Sequence, residues 1–168
     1  MLKAGQLYIE QLNKIMMEKV WYDPYYKFYG GTGHYNFEMS DNNENKHFFV
    51  SVDKTDRILG VVSYRIDWQA RSAYNFGLMS FEKGSFIFLA DIKRVVYDLF
   101  YKYNLERMEW FCFADNPAKE LYDAFIKRYG GEIVGRYHRQ AMLADGKLHD
   151  SVVYEILKED LKMRRKEG

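Results

Sequence analysis

Tyr122 is the side chain here whose type and setting could move a proton. It stands in the stretch Ala114 to Gly131, A-D-N-P-A-K-E-L-Y-D-A-F-I-K-R-Y-G-G, where Ala118, Leu121, Phe125, Ile126 and Tyr129 share its face at helical spacing. A phenol on such a face needs a partner if buried and can donate a proton if it looks into a cleft. The sequence leaves both readings open. Glu82, Asp67 and Glu109 are candidate bases by position alone, each with a surface or hairpin charge as its alternative. His34, His47, His138 and His149 show no ligand spacing, and Cys112 has no cysteine partner, so no metal site is expected. Cys112 lies in an apolar run and reads as a core thiol rather than a nucleophile. No Ser-His-Asp arrangement can be assembled. Gly30, Gly31 and Gly33 form a glycine-rich loop, but without the Lys-Ser/Thr ending of a phosphate loop or a strand before it. An aromatic-rimmed loop is the other reading.

The elements that must position Tyr122 are legible around it. Asn116 reads as an N-cap, Pro117 as the first helical residue, and Gly130 and Gly131 as a left-handed exit. Before this helix, Met108 to Ala114 is a strand without strict alternation, which implies burial on both faces in a parallel pair flanked by helices. After it, Glu132 to Leu143 and Lys147 to Leu157 form a hairpin around Asp145-Gly146.

The rest of the chain supplies a frame. Residues 5–12 read as a strand and 11–21 as a helix, with a break at Asp23-Pro24. His47 to Val52, Ile58 to Trp68 and Ala73 to Phe81 form an antiparallel meander with turns at 53–57 and 69–72. Glu82-Lys83-Gly84-Ser85 leads into a helix of about twenty residues, with Phe88, Ile92, Val95, Val96, Leu99 and Tyr103 on its apolar face and Asn104 at its end. The tail Lys158 to Gly168 reads as a charged, solvated end. The order implies one α+β domain over residues 1–168 with a mixed sheet.

Composition excludes several classes. The net charge of +1 argues against a dedicated nucleic-acid binder. The longest apolar run, Phe86 to Ala90, is too short to cross a bilayer, and no apolar leader segment is visible. One cysteine rules out an intrachain disulfide framework. A soluble, cytoplasmic protein with no membrane partner is expected. Aromatic residues are 18% of the chain, with 15 Tyr and 12 Phe, enough to fill a core or line a pocket.

This order, with three stretches, resembles the GNAT N-acetyltransferase superfamily, and within it the ribosomal-protein N-terminal acetyltransferase branch. The most specific stretch is N-P-A-K-E-L-Y at 116–122, with Ala118 and Leu121 in the apolar slots and Gly130-Gly131 where Gly-Phe is usual. The second is D-G-K-L-H-D-S-V-V-Y-E-I-L at 145–157, which is similar to the family's last hairpin and carries Asp150. The third, L-Y-I-E-Q-L at 7–12, resembles the opening strand, with Glu10 where arginine is usual. The resemblance is closest over 58–157.

It implies a single-domain acyl-CoA acyltransferase fold, mostly antiparallel, with helices on both faces. It implies acetyl transfer from acetyl-CoA to a primary amine, on a protein N-terminus or a small molecule. Tyr122 would be the acid that protonates the leaving thiolate. Asn116 would both cap its helix and bond the cofactor. The pantetheine slot would lie beside Phe76 to Phe81, taking in Leu78, Met79, Ser80 and Phe81. The diphosphate would meet the helix N-terminus at Lys83, Gly84, Ser85 and Phe86, where unpaired N–H groups and the helix dipole favour an anion. That loop, F-E-K-G-S-F, has Phe81 and Phe86 where the family has Gln or Arg and Gly or Ala. The alternative is therefore a GNAT-fold binding or regulatory protein that has lost catalysis. Trp21 and Trp68 either rim an acceptor pocket or pack. A homodimer is common in the superfamily, and nothing in the sequence decides it.

Overall fold

The computed structural model describes residues 1–29 and 43–163. Among these residues, seven strands form one sheet in the order β1-β2-β3-β4-β5-β7-β6: β1 (Leu2–Ala4), β2 (Lys46–Val52), β3 (Ile58–Asp67), β4 (Ser72–Ser80), β5 (Arg107–Phe113), β6 (Glu132–Met142) and β7 (Leu148–Leu157). Only β4 and β5 run parallel; every other neighbouring pair is antiparallel. Three α-helices, α1 (Ile9–Ile15), α2 (Phe86–Tyr101) and α3 (Ala118–Tyr129), pack on the sheet. The expected α+β architecture, with its meander and terminal hairpin, is present.

The opening strand lies earlier than expected. Leu2–Ala4 is β1, Gly5–Tyr8 is a 3-10 turn, and α1 begins at Ile9 and runs on through one π turn, Met16–Val20. From Tyr8 onward the buried residues are Tyr8, Leu12, Met16 and Val20, one every fourth position, so helical periodicity already governs from Tyr8. Leu7, which had suggested alternation with Ile9, is 72% exposed.

Two cores fill the two faces. Tyr8, Leu12, Met16 and Val20 pack on Val50, Val61, Met79 and Phe81. On the other face, Phe88, Val95, Val96 and Leu99 of α2 meet Val62, Phe76, Met108, Trp110 and Tyr154, and Tyr122, Phe125 and Ile126 of α3 pack against the same cluster. Ser85 caps α2, its Oγ accepting from the Phe88 N–H at 3.3 Å. The helix spans 16 residues rather than about twenty, because Lys102 closes it and Asn104 turns the chain at φ +56°.

β5 corrects another expectation. It alternates, with Met108, Trp110 and Cys112 buried and Phe111 exposed. Its parallel pairing with β4 is confined to Ser72↔Arg107 and Ala73↔Met108, whereas β7 pairs along its whole length. Burial on both faces would need a packed layer on each, and on the second face Phe111 is 45% exposed at the rim of a cavity.

α3 has no fully buried residue, and Leu121 is 70% exposed. The packing stripe is Tyr122, Phe125, Ile126 and Tyr129, at i, i+3, i+4 and i+7, and Leu121 falls one position off it. The helix exit is not a left-handed turn. Gly130 has φ +95° and ψ 166°, a region open only to glycine. A Cβ there would also meet the Asp160 carbonyl oxygen at 2.0 Å. Gly130→Ala is expected to lower stability by about 2 kcal/mol. Urea unfolding monitored by circular dichroism checks this through a lower midpoint at unchanged slope.

Candidate active site

β3 and β4 pair in register as Ser63↔Gly77 and then as Arg65↔Tyr74, so Asn75 and Phe76 together oppose the single residue Tyr64. Asn75 absorbs the extra residue at φ +50°. Such a bulge bends the strand that carries it. Past Ala73 β4 and β5 no longer pair, and the two central strands part. A cavity of about 380 Å³ opens between them. Its walls are Asn75 to Leu78 of β4, Phe111 to Phe113 of β5, and Asn116, Ala118 and Tyr122 at the start of α3; Phe28 and Tyr29 close it from the N-terminal segment.

Asn116 fixes how α3 enters. Its Oδ1 accepts from the Ala118 N–H at 3.0 Å and its carbonyl from the Lys119 N–H at 2.9 Å, while Pro117 already has helical angles. The cap read from the sequence is therefore made, at the wall of the cavity.

Tyr122 is held by rings. Trp110 is centred 6.1 Å from it and Tyr154 5.9 Å, and Trp110 and Tyr154 stack on each other at 5.2 Å. The Tyr154 hydroxyl donates to Asp123 at 2.8 Å, Tyr8 to Asp56 at 2.6 Å and Tyr101 to the Met163 carbonyl at 2.8 Å. Among the described residues the Tyr122 hydroxyl has no such partner, although its ring is packed. Burial pushes its phenol well above the usual range, and nearby Cys112, Tyr29 and Tyr154 act the same way. The group therefore stays protonated at neutral pH. Burial also pushes Tyr29 up to about 12 and the Cys112 thiol up to about 12. Cys112 remains a thiol, 3.4 Å from the Phe113 carbonyl, and this agrees with the core reading.

The other predicted site residues divide. Leu78 lines the cavity, whereas the side chains of Met79 and Phe81 are buried in the opposite core beside α1, leaving only their main chain for a slot. Ser80 Oγ donates to the Glu82 carbonyl at 2.9 Å. Lys83 Nζ lies 4.1 Å from the centre of the Tyr25 ring. Gly84 has φ +70° with nothing within 4 Å of where a Cβ would stand. Phe86 is 86% exposed, so its ring is not packed into the protein. With Phe88 N–H on Ser85, the N–H groups of Phe86 and Ile87 stand in the first turn, where the helix itself supplies them no acceptor.

No candidate base lines the cavity. Glu82 pairs with Arg57 at 3.0 Å, Glu109 pairs with Arg107, and Asp67 accepts from the Ala70 N–H at 2.9 Å in the β3–β4 turn. Trp68 donates to the Glu44 carbonyl at 2.9 Å and Trp21 packs beside α1. Gly30, Gly31, Gly33, His34 and the end of the charged tail lie outside the described residues. Sequence reasoning missed Phe28, Tyr29, Phe111 and Phe113 as walls; the only signal was the aromatic run Tyr25 to Tyr29. It also missed His149, bracketed by Asp115 and Asp145.

Neither a family model nor a curated protein sequence matches the chain. Solved structures match it in shape. A spermidine N-acetyltransferase from Vibrio cholerae in complex with CoA and spermine superposes with a TM-score of 0.68 at 19% identity, over 95% of this chain and 96% of that one. The chain has the GNAT fold. A point variant of the same Vibrio cholerae protein, SpeG, gives a TM-score of 0.70 at 18% identity over 95% and 94% of the two chains. Its dodecameric form gives 0.61 at 22% over 70% and 67%. These neighbours are polyamine acetyltransferases and lend the ribosomal-protein branch no support. Within the GNAT fold of this chain, the parted central strands and the helix carrying Tyr122 line one cavity.

Proposed function

We propose that this protein transfers an acetyl group from acetyl-CoA to the primary amine of a small molecule. The observation that carries the reading is the gap between β4 and β5, which leaves a length of β4 unpaired with β5 and sets Tyr122, whose hydroxyl has no partner among the described residues, in the wall of the same cavity. Acetyl-CoA supplies the thioester. The β4 main chain beyond Ala73 offers hydrogen bonds to an extended arm, as a missing strand would. The open Gly84 and the first-turn N–H groups of Phe86 and Ile87 suit a diphosphate.

The neutral amine attacks the thioester carbonyl, forming the new C–N bond. A main-chain N–H of β4 stabilises the oxyanion. As the C–S bond breaks, Tyr122 gives its proton to the thiolate, and the proton that the attacking nitrogen sheds in becoming the amide returns through water to restore the phenol. The lining contains no carboxylate or imidazole among the described residues, so the ammonium proton leaves through water. Burial weakens Tyr122 as an acid, but it also destabilises an unprotonated thiolate in the same cavity. The aromatic wall of Phe28, Tyr29, Phe111 and Phe113, with the spermidine acetyltransferases that share the fold, favours a small amine over a protein N-terminus.

A second reading, a GNAT-fold protein without catalysis, rests on the F-E-K-G-S-F loop and on the engagement of Lys83 by Tyr25. A thermal-shift titration separates the two. Acetyl-CoA at about a hundred times its Kd is expected to raise Tm by at least 5 °C, because ligand binding only to the folded state adds about 2.7 kcal/mol there. No shift at millimolar acetyl-CoA rules out the enzyme reading. Binding without product from spermidine or other small amines supports the second.

A further inference from the structure

His149 sits at the start of β7 with its side chain 7% exposed, and both ring nitrogens meet carboxylates. Nδ1 lies 2.8 Å from Asp115, in the turn between β5 and α3, and Nε2 lies 2.9 Å from Asp145, in the turn between β6 and β7. A neutral imidazole has one donor and one acceptor, so it would turn a lone pair onto one carboxylate. Two carboxylates at these distances call for the imidazolium. The ring also meets Phe28 edge-on at 6.1 Å and Phe113 at 6.2 Å, and both line the cavity. Lys27 completes the cluster, its Nζ 3.3 Å from Asp145 and 4.8 Å from the Phe28 ring. One side chain thus joins three segments remote in sequence: the N-terminal segment, the entry to α3 and the last hairpin turn.

We propose that His149 is a positioning residue: held as an imidazolium between Asp115 and Asp145, it fixes Phe28 and Phe113 as the wall against which the acceptor amine is placed. The acceptor part of this rests on the acetyltransferase reading; the clasp itself does not. His149 touches no reacting atom and works through the two rings. The charged groups facing it are Asp115 from the α3 entry, Asp145 from the hairpin turn and, through Asp145, Lys27 from the N-terminal segment. Protonated, the four groups balance. Deprotonation leaves one net negative charge and a repelled carboxylate.

Hydrogen bonds to Asp145 and then Asp115 raise the His149 pKa above its ordinary value. The stabilisation is therefore complete below the unfolded value and is lost as pH rises through the raised folded value. The clasp opens as pH rises through that raised value.

The test compares the full chain with His149→Gln, whose amide can donate to only one carboxylate, and with Asp115→Asn, which keeps an acceptor but removes a charge. In the parent protein, nitrogen NMR is expected to show both His149 ring nitrogens protonated at pH 7.5; a neutral tautomer there overturns the proposal. In His149→Gln, amide exchange is expected to accelerate about tenfold at Tyr26, Lys27 and Tyr29, with β2 and β3 unchanged. Unchanged exchange at 26–29, or uniform acceleration everywhere, overturns it. If His149→Gln does not fold, Asp115→Asn carries the same reading with a smaller acceleration. With acetyl-CoA and spermidine, KM for the amine should rise about tenfold while kcat and the KM for acetyl-CoA move less than twofold. A kcat loss at constant amine KM overturns the positioning role. If no amine is acetylated at all, the exchange and protonation results still decide the clasp, so its failure and that of the enzyme reading remain distinct.

Discussion

Tyr122→Phe is expected to lower kcat about a hundredfold while Kd for acetyl-CoA stays within twofold and Tm within about 2 °C. The substitution removes one oxygen and keeps the ring. The ring holds the contacts with Trp110 at 6.1 Å and Tyr154 at 5.9 Å, so the core face of α3 is preserved. The hydroxyl bonds to none of the described residues, so its loss strands no donor or acceptor among them. That separates it from Tyr154, whose hydroxyl holds Asp123 at 2.8 Å and through Asp123 the Lys119 ammonium at 2.7 Å. Truncating Tyr154 to Phe would strand part of that network and register as lost stability. A group packed by its ring and unused at its tip is free to serve a reacting molecule. Steady-state kinetics, with acetyl-CoA binding measured by calorimetry on the same samples, gives the check. Turnover within threefold of the parent removes the acid role and leaves Tyr122 as a packing residue.

The sequence carried α3 well because its signals are local. A cap, a proline at the first turn and an apolar stripe each act within a few residues, and Asn116 bonds Ala118 as that grammar requires. The meander and the last hairpin were legible for the same reason, with turns set by Asp53 to Arg57 and Asp145-Gly146. The cavity was less legible because it depends on register. Nothing in Y-N-F-G announces that Asn75 will bulge, since the extra residue exists only relative to Tyr64 on another strand. His149 was passed over because its partners lie four residues before it and 34 residues before it, a spacing that means nothing until β5 and β7 pair. The opening strand was misplaced where two patterns overlap, and burial of Tyr8 and Leu12 favoured the helix. Phe86 looked obstructive as a letter in a loop, but on the helix its ring turns to solvent.

Trp110→Ala is expected to cost about 3–5 kcal/mol and to lower Tm by about 10 °C. Trp110 is 4% exposed at the centre of β5. It stacks on Tyr154 with 5° between the planes and meets Phe125 edge-on at 83°. Removing it opens a void under α3 that the sheet cannot close, because β5 is paired with β7 over its whole length. Its Nε1 has no partner among the described residues, so this indole is buried with its donor unsatisfied. Trp110→Phe should therefore recover most of the stability, since it keeps a ring and removes the unpaired N–H. Thermal unfolding of both variants gives the measurement, and a loss under 2 °C for Trp110→Ala contradicts this account of the core. The consequence for chemistry follows from position. Trp110 is the floor on which Tyr122 rests, so Trp110→Ala should also cost turnover by letting the phenol ring shift, and Trp110→Phe should restore it. Turnover that falls in the alanine variant and returns in the phenylalanine variant, in step with Tm, ties the placement of the Tyr122 phenol to the aromatic stack beneath it.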